Sequence, residues 1–125
     1  MVELKVPARQ EMLLVVRMAL SGLCAKCGMG MDAVENVRIA VDEACYCLMH
    51  QMRPVAWLKM TCTWDDERLL VRLDAQRTEG LPSAVAAHDP EVAHCILSTL
   101  VPEVDMRHDD GGVYGIDLVI RLNAA

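Results

Sequence analysis

Phenylalanine is absent from the 125 residues, and two Trp and two Tyr are the only aromatic side chains. The core therefore has to be aliphatic, filled out by nine Met and six Cys, soft side chains that suit irregular space. No apolar run reaches the roughly 18 residues that a membrane-crossing helix needs. The best stretch, 12–24, is interrupted by Arg17. Its end, Leu20-Ser21-Gly22-Leu23-Cys24, has the look of a lipoprotein cleavage site, but Arg17 within the stretch and Glu11 before it break the pattern of a secretion signal. Positive charge is scarce: 12 Lys and Arg stand against 18 Asp and Glu, a formal net charge of -6. That balance argues against direct nucleic-acid binding, which rests on positive charge, and against an anionic membrane surface. An apolar content of 54% argues against disorder. The expectation is a single domain over 1–125, cytoplasmic, with its thiols reduced.

The hydropathy pattern changes period along the chain. Val2, Leu4 and Val6 alternate with Glu3 and Lys5, a half-buried strand that Pro7 ends. From Arg9 the spacing turns helical, with Leu13, Val16, Leu20, Leu23 or Cys24, and Cys27 on one stripe, and Gly28 and Gly30 close it. Asp32 and Glu35 have capping-box spacing for a second helix. Its stripe is Val34, Val37, Val41, Ala44 and Leu48, and it extends to about Met52, before Pro54. Ala56, Leu58, Met60, Cys62 and Trp64 then alternate with polar residues, Asp65-Asp66-Glu67 turns the chain, and Leu69, Val71 and Leu73 return as the other arm of a hairpin. A loop over 76–88 follows. Asp89 before Pro90 opens a third helix carrying Val92, Ile96 and Leu100. Val104 to Met106 and Ile116 to Leu122 form a last hairpin around Asp109-Asp110-Gly111-Gly112. The expected fold class is α+β: a two-layer sandwich with a mostly antiparallel five-stranded sheet and about three helices on one face.

Several side-chain groups invite chemistry. Cys24-x-x-Cys27 and Cys45-x-Cys47 could supply four thiolates to zinc, but Cys24 and Cys27 fall on an apolar helical stripe. A Cys-x-Cys pair on a helix also points its thiols about 200° apart. No metal site is expected. Glu43, Cys47 and His50 share a helical face and suggest a nucleophile with its base, without any oxyanion donor. His88 and His94 are expected to be an exposed loop residue and a helix-surface residue.

The stretch 3–50 carries more information. An opening strand ends in Val6-Pro7-Ala8. A helix reads Val15-Val16-Arg17-Met18-Ala19-Leu20-Ser21-Gly22-Leu23. After a glycine-containing turn comes Val34-Glu35-Asn36-Val37-Arg38-Ile39-Ala40-Val41-Asp42-Glu43-Ala44-Cys45. This resembles the anti-sigma-factor serine kinases of bacterial stress and sporulation switches, in the histidine-kinase-like ATPase superfamily. Their second helix typically reads Ile-x-x-Ala-Val-x-Glu-Ala-x-x-Asn. The element order agrees with that fold, and the segment from Leu97 to Asp105 looks like the family's last helix entering its closing hairpin.

The resemblance implies that Glu43 is the general base toward a substrate serine. The family's magnesium-holding Asn, one turn further along, falls on Cys47, and a thiol is a poor ligand for a cation that prefers hard oxygen donors. The adenine-binding Asp of the family's Asp-x-Gly-x-Gly falls on Asp74, followed here by Ala75-Gln76-Arg77-Thr78 without either glycine. Asp74 shares parity with Arg72, so it points away from the buried side unless a bulge intervenes. The family's phosphate-cradling Gly-x-Gly falls on Glu91 and Ala93. Asp89 and Glu91 at that helix start would repel a triphosphate, at about 4 kcal/mol for like charges some 4 Å apart at an effective dielectric near 20. The resemblance, with these departures, implies an anti-sigma-factor-like regulator in bacterial transcription control. It would bind protein and have lost its ATP site and cofactor. The implied partners are a sigma factor, a sulfate-transporter-like anti-anti-sigma domain, or a second copy in a homodimer. The alternative is an active serine/threonine kinase using Mg-ATP, with Glu43 as base.

Overall fold

The structure is a computed structural model that describes residues 1–80 and 87–122. Its elements follow in the order β1 (Val2–Pro7), α1 (Leu13–Lys26), α2 (Met31–Met49), β2 (Val55–Trp64), β3 (Arg68–Arg77), α3 (Pro90–Leu100), β4 (Glu103–Asp109) and β5 (Gly112–Arg121). All sheet pairings are antiparallel, in the order β1-β2-β3-β5-β4. The three helices and the five-stranded antiparallel sheet make the α+β class expected from the sequence.

Strand alternation sorts the two faces of the sheet. Leu58, Met60 and Cys62 of β2, Leu69, Val71 and Leu73 of β3, and Ile116, Leu118 and Ile120 of β5 are buried toward the helices. Leu20 and Cys24 of α1, Val41, Ala44 and Leu48 of α2, and Ala93 and Leu97 of α3 close over them. The other face carries ion pairs: Arg72 to Asp117 at 3.2 Å, Arg107 to Asp117 at 3.1 Å, Arg107 to Asp74 at 2.8 Å and Lys59 to Glu3 at 3.6 Å. A bulge lets β5 carry an extra residue, Tyr114, between the partners of Arg107 and His108. Gly115 beside it lies under the Arg107 guanidinium, and any Cβ there would collide with that group. Among the described residues no helix is long and apolar enough to cross a membrane.

Five expectations need correction. Arg9 is extended, and a 3-10 turn over Gln10–Met12 precedes α1, so the first helix begins at Leu13. The capping box is not formed. Helix α1 ends in a Schellman arrangement, with Met29 N–H donating to Cys24 O and Gly28 N–H to Ala25 O, and with Gly28 at φ 78°. The chain leaves it extended at Gly30, so α2 starts at Met31. Asp32 is thus inside the first turn, where its charge suits the helix dipole, and Glu35 is an ion-pair partner of Arg38 at 2.9 Å. At its other end α2 stops at Met49, because His50 leaves helical geometry at φ -109°, ψ 63°. On α3 the buried residues are Ala93 and Leu97, whereas Val92 and Ile96 are exposed. Strand β3 runs on to Arg77, so the loop is shorter at its start, and its residues 81–86 lie outside the described residues.

Candidate functional site

Helix α2 presents Glu43 and Tyr46 toward α3 and toward the segment that enters it. Glu43 does not face open solvent. His88 Nε2 lies 2.6 Å from Glu43 Oε1, and because a carboxylate oxygen only accepts, the imidazole donates from Nε2. The His88 backbone N–H donates to His50 O at 2.8 Å, which pins the same residue a second time. Tyr46 supports the clasp. Its ring stacks on His50 at 3.9 Å and meets the His88 ring edge-on at 5.0 Å. His88 is therefore not the free loop histidine that the sequence suggests. His94 is on the surface of α3, as expected, with Ser98 as its neighbour.

Cys47, one turn along α2 from Glu43, is beneath the surface. It is 2% exposed, and burial, with the Glu43 and Asp89 carboxylates adding, pushes its thiol up to about 11. Cys45 is buried as well, its thiol pushed up to about 12 by burial, with Asp42 adding. Of the Glu43, Cys47 and His50 trio, Cys47 is buried and His50 Nδ1 is 2.8 Å from Tyr46 O. Among the described residues no group of three or more His, Cys, Asp or Glu is arranged to hold a metal.

Asp74 is on the far side of the sheet. Its carboxylate pairs with Arg107 at 2.8 Å, and it lines a shallow outer-face hollow with Glu3, Lys5, Lys59 and Gln76. The bulge that would have turned it inward is absent, since Leu73 and Asp74 pair in regular register with Ile116 and Gly115. The inward position at the end of β3 belongs to Arg77. Its guanidinium takes both Asp109 oxygens, at 2.7 and 2.5 Å, and lies over the Tyr114 ring at 5.1 Å. Gln51, 2% exposed, links this node to α2, with Nε2 donating to Leu48 O and Val113 O, each at 2.7 Å. At the start of α3, Asp89 Oδ1 accepts from Glu91 N–H at 2.9 Å, so a carboxylate already satisfies that helix end.

Beside the clasp, Gln10, Leu13 and Arg17 of the α1 end, Ile39, Asp42, Glu43 and Tyr46 of α2, and Ile96 of α3 line an open cleft of about 390 Å³. Arg17 Nε and Asp42 Oδ1 face each other at 3.4 Å, yet both atoms are shielded from solvent and neither makes a hydrogen bond. Exposed Ile39, Tyr46 and Ile96 give the cleft an apolar wall. Sequence reasoning missed Arg17, His88, Gln51 and Arg77. The one available signal was that Ile39 and Tyr46 interrupt the polar face of α2.

No family model matches the chain. It does have homologues named Serine-protein kinase RsbW. It is 43% identical over 44 residues to the protein of Bacillus subtilis (strain 168), which covers 35% of this chain and 28% of that one. The Bacillus licheniformis protein matches to the same extent. Against the protein of Bacillus cereus (strain AH187) identity is 23% over 126 aligned positions, covering 88% of this chain and 79% of that one. The stronger match thus spans little more than a quarter of those relatives, and the longer match is at low identity.

Proposed function

We propose that this chain is an anti-sigma-factor-like regulatory module, a single domain that acts in the bacterial cytoplasm by holding a protein partner and no longer uses ATP. The observation that carries this reading is the clasp: the carboxylate at the position of the kinase base, Glu43, is engaged by His88 at 2.6 Å. Two others support it. A buried thiol, Cys47, stands where magnesium would need a hard oxygen donor. The start of α3, where phosphates would be cradled, is capped by the Asp89 carboxylate and followed by Glu91. These residues do not suit Mg-ATP. By resemblance the partner is a sigma factor or an anti-anti-sigma domain. The cleft between Arg17, Asp42, Tyr46 and Ile96 is the surface that would receive it.

A second reading, an active serine/threonine kinase, draws on Glu43 lying beside that cleft and on the name of the homologues. The test is thermal unfolding with and without magnesium and ATP or ADP. A ligand at a hundred times its dissociation constant adds about 2.7 kcal/mol, several degrees for a domain of this size. No shift at millimolar nucleotide is expected. A shift, followed by phosphate transfer to a partner serine that Glu43→Gln abolishes, would favour the kinase.

A further inference from the structure

The sheet has two open edges, β1 and β4, and they are built differently. The β4 edge is blunted: a bulge interrupts its pairing between Arg107 and His108, and it carries Glu103, Asp105 and Asp109. Strand β1 instead pairs with β2 in unbroken register from Val2 to Pro7. Its free side follows from one bond. Ala8 N–H donates to Ala56 O, on the residue opposite, at 2.9 Å. In an antiparallel ladder, pairs that exchange bonds alternate with pairs that do not. Val6, Leu4 and Val2 therefore turn their N–H and C=O groups toward β2. Lys5 and Glu3 turn theirs outward, where no backbone group among the described residues meets them. The side chains of β1 are also incompletely covered. On the helix side Val6 is buried, but Val2 is 38% exposed and Leu4 is only partly buried. On the outer side, a hollow of about 490 Å³ is lined by Glu3, Lys5, Lys59, Asp74 and Gln76. Glu3 pairs there with Lys59, and Asp74 with Arg107. Lys5 has only the Trp57 ring, 4.9 Å from its Nζ.

We propose that β1 receives an extended segment of another protein, added to the five-stranded sheet as a further strand, in which apolar residues alternate with acidic ones. The free N–H and C=O groups of Glu3 and Lys5 supply the main-chain bonds. Alternation does the rest, because successive side chains of the added strand fall on opposite faces. Its apolar set extends the inner row and covers Val2 and Leu4. Its acidic set stands on the outer side beside Lys5, the charge in the hollow that lacks a carboxylate. A second copy of β1 fits less well. It brings a lysine with every glutamate, so the unbalanced charge of Lys5 is doubled instead of cancelled. The hollow is on the outer face of the sheet and the Arg17–Asp42 cleft is among the helices, so binding at β1 does not depend on what the cleft holds.

The probe is a capped peptide of about seven residues, a strand's length, in which Val and Glu alternate, titrated into the full chain and followed by NMR and amide exchange. The Glu3 and Lys5 amides should exchange quickly in the free chain and become protected when the peptide binds, whereas those of Leu4 and Val6 are protected throughout. Lys5→Glu should weaken binding about fivefold or more at low salt and strengthen binding of the matching peptide with Lys in place of Glu. Glu3→Pro separates strand pairing from plain charge attraction. It removes an outward N–H on an edge strand, where proline is tolerated, and it also removes a negative charge. Strand pairing predicts binding weaker by about tenfold, and charge attraction alone predicts tighter binding. Should this variant fail to fold by circular dichroism, a peptide N-methylated at the residues that face β1 tests the same bonds from the other side and should not bind. No protection of Glu3 and Lys5 at millimolar peptide, indifference to Lys5→Glu, tighter binding by Glu3→Pro or undiminished binding of the N-methylated peptide would each overturn the proposal. So would protection of these two amides in the concentrated chain alone, which would give the edge to a second copy.

Discussion

Gln51 shows how much depends on single buried polar groups. Its amide satisfies the carbonyls of Leu48 and Val113 and reaches toward Arg77. Gln51→Leu would remove the side-chain donor to the Leu48 and Val113 carbonyls. Such a loss costs about 1–3 kcal/mol and should be seen as a lower denaturant midpoint. Asp109 bears on pH dependence. The Arg77 guanidinium, with the Gly111 N–H, holds its carboxyl well below the usual carboxylate range. A group depressed in the folded state stabilises the fold above its unfolded value, about 3.9, and that contribution is lost as pH falls through the folded value. Asp109→Asn should therefore lower the melting temperature at neutral pH and flatten the acid limb of the stability curve. Residues of this kind were hidden in the sequence. Arg77 and Asp109 are 32 positions apart, and His88 and Glu43 are 45 apart. Glu43, by contrast, drew notice only because its neighbours on one helix carry the motif of the resemblance.

At the scale of elements, the strands were legible because a two-residue period permits one inward set, and β2, β3 and β5 bury the set that alternation picks out. Helix α3 was ambiguous for a physical reason. Val92, Ile96 and Leu100 make one helical stripe, and Ala93, Leu97 and Val101 make another. The small Ala93, fully buried, lets the helix approach α2, and that decides between them. Ala93→Leu should overfill this contact and cost about 1–3 kcal/mol, whereas Val92→Ala, on an exposed position, should stay within about 0.5 kcal/mol; urea unfolding compares the two. The start of α2 was misplaced because Gly30, extended and without a side-chain hydrogen bond, takes the N-cap position that the Asp32 and Glu35 spacing suggested for a later residue. Leu48→Ala on α2 should cost about 2–5 kcal/mol.

For the whole molecule, the two faces of the sheet have separate work. The helix-covered face supplies the core. The outer face is held by the Arg72, Asp117, Arg107 and Asp74 network, which is partly exposed and so should contribute little that 1 M salt does not screen. Asp74 belongs to that outer network, and Glu43 is clasped on the helical side. Glu43 and Asp74, to which the resemblance gives the base and the adenine-binding position, are thus on opposite sides of the sheet. The central claim is that this scaffold has given up nucleotide for protein binding, and calorimetric titration of the intact chain with Mg-ATP tests it most directly. The account predicts no saturable heat up to millimolar nucleotide, for the wild type and for His88→Ala alike. A saturable isotherm for the wild type, accompanied by a rise in melting temperature, would contradict it.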